Sequence, residues 1–125
     1  MNSLASQHQA RYTVADYMNW PDAERWELIA GEIYNMSPAP TIKHQGIVGD
    51  FYSQLKQQLI GKPCIPYVAP VDVVLSDDDV VQPDVLVVCD PAKITEKNIQ
   101  GAPDLVVEVL LPGTALKDMR EKNIV

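Results

Sequence analysis

Two short apolar runs, each opened by Pro-Asp, anchor the hydrophobic pattern: Gln82-Pro83-Asp84-Val85-Leu86-Val87-Val88 and Ala102-Pro103-Asp104-Leu105-Val106-Val107-Glu108-Val109-Leu110. They are short, rich in β-branched residues and bounded by Pro, Asp and Gly, which predicts buried strands rather than helices. Residues 67–75 alternate around Val71, Val73 and Leu75, so 80–88 is expected to fold back on them as a hairpin across the turn at 76–79. Trp26, Leu28 and Ile29, then Ile33, Tyr34 and Met36, predict a second hairpin turning at Gly31. Ile47, Val48, Phe51, Leu55, Leu59 and Ile60 recur at spacings of three and four, the pattern of an amphipathic helix over 44–61 that Gly61 and Pro63 close. Thr13 and Thr114 are placed to cap helices over 14–20 and 115–123, and 90–100 reads as a polar crossover with a helical turn or two. Strands and helices thus mix in an α+β domain over 11–125, behind a polar, flexible extension at 1–10.

Composition narrows the class. At 125 residues with 46% hydrophobic and 22% charged content, the chain is one ordinary globular domain and not a disordered one. No apolar run approaches the roughly 20 residues that span a bilayer, which predicts no membrane partner. Cys64 and Cys89 lack CxxC spacing and metal-ligand company, so the reading is a cytoplasmic protein with free, buried thiols. A net charge of −7 argues against nucleic-acid binding through a broad basic face. Metal ions in an acidic site would invert the local field, and Lys117, Arg120 and Lys122 cluster near the C-terminus, where their plain reading is a solvated helix face.

Candidate chemistry starts at Glu108. A carboxylate between Val107 and Val109 calls for a cation or a metal, because an unpaired charge in apolar surroundings is costly. Asp104 lies four strand positions away, about 13 Å, too far to share one ion. If the two Pro-Asp strands are neighbours about 4.8 Å apart, Asp84 can stand beside Glu108 instead. The other acids carry plainer readings. Glu27 alternates with Trp26 and Leu28 and is expected to face solvent, Glu32 flanks a turn, and Asp77, Asp78 and Asp79 sit in water without a calcium-loop spacing. His44 lies near a helix N-terminus, where it is either an ordinary capping-region residue or a contact for an anionic substrate.

Taken in order, 12–17 (Tyr-Thr-Val-Ala-Asp-Tyr), 27–33 (Glu-Leu-Ile-Ala-Gly-Glu-Ile), His44, Gln82-Pro83-Asp84, 102–109 (Ala-Pro-Asp-Leu-Val-Val-Glu-Val), Asp118 and Lys122 resemble the Uma-type restriction-endonuclease-like proteins of the PD-(D/E)XK nuclease superfamily. The resemblance implies a restriction-endonuclease-like mixed β-sheet flanked by α-helices, a Mg2+ (or Mn2+) site and DNA as substrate. It assigns Asp84 and Glu108 as the metal-binding acids. The superfamily's lysine two residues after the second acid is replaced here by Leu110, and the resemblance implies that Lys122 on the following helix supplies the ammonium. Glu32 and His44 match recurrent family positions and would complete the catalytic set.

Two departures qualify this expectation. Leu111-Pro112-Gly113-Thr114 stands where the family usually has Ser-Pro-Ser-Thr, and a further C-terminal strand is not in the sequence. Either the domain lacks that strand, or a partner chain fills the sheet position, which would make a homo-oligomer, in the simplest case a dimer. The alternative to a metal-dependent DNA endonuclease is therefore a catalytically inactive nuclease fold acting as an oligomeric interaction module. A small-molecule hydrolase using the same carboxylates is a third reading.

Overall fold

A computed structural model describes residues 11–20, 26–35 and 40–111. The extension expected at 1–10, Met36 of the expected hairpin, the helix expected over 115–123 and Lys122 lie outside the described residues.

Helix α1 spans Val14–Tyr17. The Thr13 hydroxyl accepts the Asp16 N–H and the Asp16 carboxylate accepts the Thr13 N–H, a reciprocal capping box that satisfies two otherwise orphaned donors. Strands β1 (Trp26–Ile29) and β2 (Glu32–Asn35) form the expected hairpin, with Leu28 opposite Ile33 and Ile29 opposite Glu32. Its two turn residues, Ala30 and Gly31, have φ of 52° and 79°. Two successive left-handed residues make the turn whose twist suits a hairpin.

Helix α2, Ile42–Gln58, starts where the Thr41 hydroxyl accepts the His44 N–H. It lies against strand β3 (Ile65–Val68) and strand β6 (Val85–Val88). Val48 is its buried residue among those described, while Phe51 and Ile60 are exposed.

The remaining strands are β4 (Val73–Ser76), β5 (Asp79–Val81), β7 (Ile99–Gln100) and β8 (Leu105–Val107), with a 3-10 turn at Pro91–Lys93 inside the expected crossover. Five strands form a mixed sheet in the order β2-β1-β5-β4-β7, parallel only between β4 and β7. The other three form an antiparallel sheet in the order β3-β6-β8. Val73 and Ile99 of the larger sheet pack with Leu86 and Val88 of the smaller, so one apolar core joins them. Leu28, Val74 and Val80 make a second cluster under α1. This is an α+β fold with a mixed sheet and one main helix, as expected.

Three expectations are corrected. The runs at 67–75 and 80–88 are not single strands pairing as one hairpin. Each divides between the two sheets, β3 with β6 and β4 with β5, because Pro70 and Pro83 donate no N–H to a ladder. Cys64 and Cys89 are not free thiols but a disulfide, S–S 2.06 Å. The pairing of Ile65 with Val88 carries the flanking cysteines to opposite positions, a register that their sequence spacing does not reveal. The free-thiol argument for a cytoplasmic location falls with it. Glu27 does not face solvent: it is 1% exposed and, like Leu28 on the opposite face of β1, is covered, its carboxylate accepting the Gln82 N–H.

Candidate metal and phosphodiester site

The smaller sheet sets the relation between the two Pro-Asp runs. Val85 pairs with Val107, Leu86 with Val106 and Val87 with Leu105, antiparallel. Asp84 directly precedes β6 and Glu108 directly follows β8, so the two acids lie at the same end of this antiparallel pair, beyond Val85 and Val107, whereas Asp104 precedes β8 at the other end. The condition on which the Asp84–Glu108 pair rests, neighbouring strands, is met.

Asp84 is tied into this corner by three contacts. Its Oδ2 accepts the Val109 N–H at 2.8 Å, its backbone carbonyl accepts the Ala69 N–H at 3.0 Å, and His44 Nε2 stands 3.4 Å from Oδ2. The bond to Val109 fastens the Asp84 carboxylate to the strand end that carries Glu108. His44 reaches it from the first turn of α2, with its Nδ1 2.9 Å from the Gln45 side-chain oxygen. The side chains of His44 and Asp84 are 14% and 21% exposed, so the pair is shielded yet open to a ligand.

Glu32 belongs to β2, an outer strand of the larger sheet, whereas Asp84 and Glu108 belong to the smaller one. His44 thus meets the Asp84 carboxylate, and Glu108 immediately precedes Val109, whose N–H that carboxylate accepts; Glu32 is on the larger sheet, and Lys122 is beyond the described residues. Asp104 has a different employment. Its Oδ2 accepts the Cys89 N–H at 2.6 Å and its own N–H donates to the Val87 carbonyl, which stitches the far end of β8 to β6.

A buried polar network that the alternation pattern did not reveal lies just before Asp84. Glu27 Oε2 accepts the Gln82 N–H at 2.7 Å. The Gln82 side-chain amide donates to Asp72 Oδ1 at 2.8 Å and to the Tyr17 hydroxyl at 3.3 Å. The Tyr17 hydroxyl in turn donates to Asp72 Oδ1 at 2.8 Å and lies 2.9 Å from the Trp26 carbonyl. Burial first, then the hydrogen bond to Asp72, push the Tyr17 phenol far above its ordinary pKa, so it stays a donor. The only sequence signal was a glutamine beside Pro-Asp. An open cavity of about 340 Å³ lies beside Asp72 and Gln82, rimmed by Thr95, Lys97 and Asn98, and none of Asp84, Glu108 or His44 lines it.

Asp79 also departs from the solvated reading. Partial burial opposes its ionisation, but hydrogen bonds from the Ser76 hydroxyl and from the Ala30 N–H, at 2.7 Å, outweigh burial and hold its carboxyl below the usual range. Among the described residues no helix is long and apolar enough to cross a membrane. Among them, too, no group of three or more His, Cys, Asp or Glu is arranged to hold a metal ion.

A family model described as "Uma2: Putative restriction endonuclease" matches residues 14–125. A solved structure of a "putative nuclease belonging to DUF820", from Anabaena variabilis ATCC 29413, is similar at 20% identity and a TM-score of 0.68. The likeness covers 87% of this chain and 64% of that one, so this chain spans less than two thirds of its length. No curated protein matches.

Proposed function

The chain belongs to the Uma2 restriction endonuclease family, and from that premise we propose that it is a divalent-metal-dependent endonuclease that hydrolyses phosphodiester bonds in DNA. The observation that carries the proposal is that the antiparallel β6–β8 pair puts Asp84 and Glu108 at one end of the smaller sheet, where the Asp84 carboxylate accepts the Val109 N–H. Their oxygen donors suit a hard cation such as Mg2+ or Mn2+. Such an ion keeps several waters and takes only one or two protein carboxylates, so a third acid is not required. Both contacts to the Asp84 carboxylate use Oδ2, which leaves Oδ1 for the cation. When bound, the metal would polarise the scissile phosphate and lower the pKa of an attacking water.

The chain's own residues supply the rest. Val109 N–H and His44 fix the orientation of Asp84, and His44, at the start of α2, meets an anionic substrate where helix N–H groups also point. In this reading Lys122 provides an ammonium that orients the water or offsets developing negative charge. Incubation of supercoiled DNA with the full chain, with Mg2+ or Mn2+ and with chelator, tests the proposal. Cleavage that needs the ion and disappears in Glu108→Ala is expected; metal-independent cleavage, or none, contradicts it.

A second reading is favoured by one observation. Among the described residues β8 is an edge strand, with Leu105 44% and Val106 48% exposed. An unpaired, apolar edge invites another chain, and an inactive, oligomeric interaction module would use it. Sedimentation analysis separates the two: a stable oligomer that takes up no manganese supports the module.

A further inference from the structure

We propose that Glu27 is a positioning residue for Asp84, acting through Gln82; the inference rests on the nuclease reading of Asp84. Chain 82–84 is one of the crossings between the sheets, since β5 ends at Val81 in one and β6 begins at Val85 in the other. The direction in which Asp84 leaves this link decides where its carboxylate stands relative to Glu108.

Both ends of Gln82 are held, one by Glu27 of the larger sheet and the other by Asp72 just before β4 and Tyr17 of α1. Its N–H, just past the end of β5, donates to Glu27 Oε2, and its side-chain amide donates to Asp72 and Tyr17. Glu27 is 1% and Gln82 8% exposed. Burying a carboxylate in the middle of a sheet costs several kcal/mol unless hydrogen bonds offset it, so an apolar residue would be the cheaper occupant if filling space were the whole task. A charged acceptor instead makes a shorter and stronger bond to an N–H that the ladder no longer serves.

The next residue along the link is stiff. Pro83 is fully buried, its ring fixes φ, and it contributes no N–H that could pair elsewhere. From a clamped Gln82 through a rigid Pro83 the path to Asp84 has little freedom. Asp84 then meets Val109 N–H and His44 with one oxygen. The larger sheet thus aims a carboxylate that works on the smaller one.

The test uses the full chain with Glu27→Leu, which deletes the acceptor, and Glu27→Gln, which keeps a side-chain oxygen at the same reach. Amide exchange of Val109, referred to the amides of β6, reports the Asp84 hold without any metal. Glu27→Leu should speed Val109 exchange selectively and weaken manganese binding by about 10- to 100-fold, the usual cost of losing an outer partner of a metal ligand. Glu27→Gln should restore most of both. Tyr17→Phe, which keeps the ring and removes one bond of the network, should move both readouts less, in the same direction, and serves if Glu27→Leu does not fold. A folded Glu27→Leu or Tyr17→Phe with a lower Tm but unchanged Val109 exchange and manganese affinity would overturn the inference and leave Glu27 a merely structural group. If the parent chain binds no manganese, the nuclease reading fails by itself, while Val109 exchange still decides whether Glu27 holds Asp84.

Discussion

Asp84 and Asp104 stand at equivalent places in two echoing runs, yet the structure gives them opposite tasks. Asp84 meets His44 and the Val109 N–H beside Glu108, whereas Asp104 accepts the Cys89 N–H at the far end of β8. Asp104→Ala should therefore cost about 1 kcal/mol of stability in urea unfolding, the scale of one hydrogen bond, and leave manganese affinity nearly unchanged. Asp79 supports a pH prediction. Its folded-state pKa is depressed, so its contribution is complete above the ordinary carboxylate range and is lost as pH falls through the lower folded value. Urea midpoints measured between neutral and acid pH should converge for parent and Asp79→Asn at the acid end, with the parent more stable above it. This part of the molecule was half legible in the sequence. The neighbouring strands behind the Asp84 and Glu108 expectation were legible from strand length and spacing, but Glu27 was misassigned because alternation assumes one wet face, and Glu27 and Leu28 on successive positions of β1 are both buried.

Among the elements, the hairpin of β1 and β2 shows how local chemistry fixes a turn that tertiary contacts then use. Ala30 N–H donates to Asp79, Gly31 N–H to the Asp78 carbonyl and Tyr12 N–H to the Gly31 carbonyl, so the turn is docked onto the β4–β5 turn and the segment before α1. Gly31 also has φ +79°, and a Cβ there would meet Arg11 Nε at 2.7 Å. Gly31→Ala is expected to destabilise by roughly 1–2 kcal/mol, from the left-handed backbone penalty with some displacement of Arg11, read as a shift of the chemical denaturation midpoint. Elements with local signals were legible: the capped α1, this hairpin and α2, whose start at Ile42 is two residues earlier than the apolar pattern predicts. The exchange of strands between sheets was not. A run such as 80–88 looks continuous by hydropathy, and only the proline within it marks where the ladder must break. Cysteine pairing was hidden for the same reason, because it follows from the β3–β6 register.

For the whole molecule, a net charge of −7 and the proposed DNA substrate oppose each other unless a bound cation reverses the field at the proposed site. In the proposed reading the fold supplies the place: two sheets share a core, and the crossing at 82–84 brings Asp84 to the end of the smaller sheet where Glu108 follows β8. Calorimetric titration of manganese into the full chain, into Glu108→Ala and into Asp84→Ala tests this most directly. Saturable binding by the parent that disappears in both variants is the predicted result. Absence of binding by the parent, or binding that survives in either variant, would contradict the two-carboxylate site.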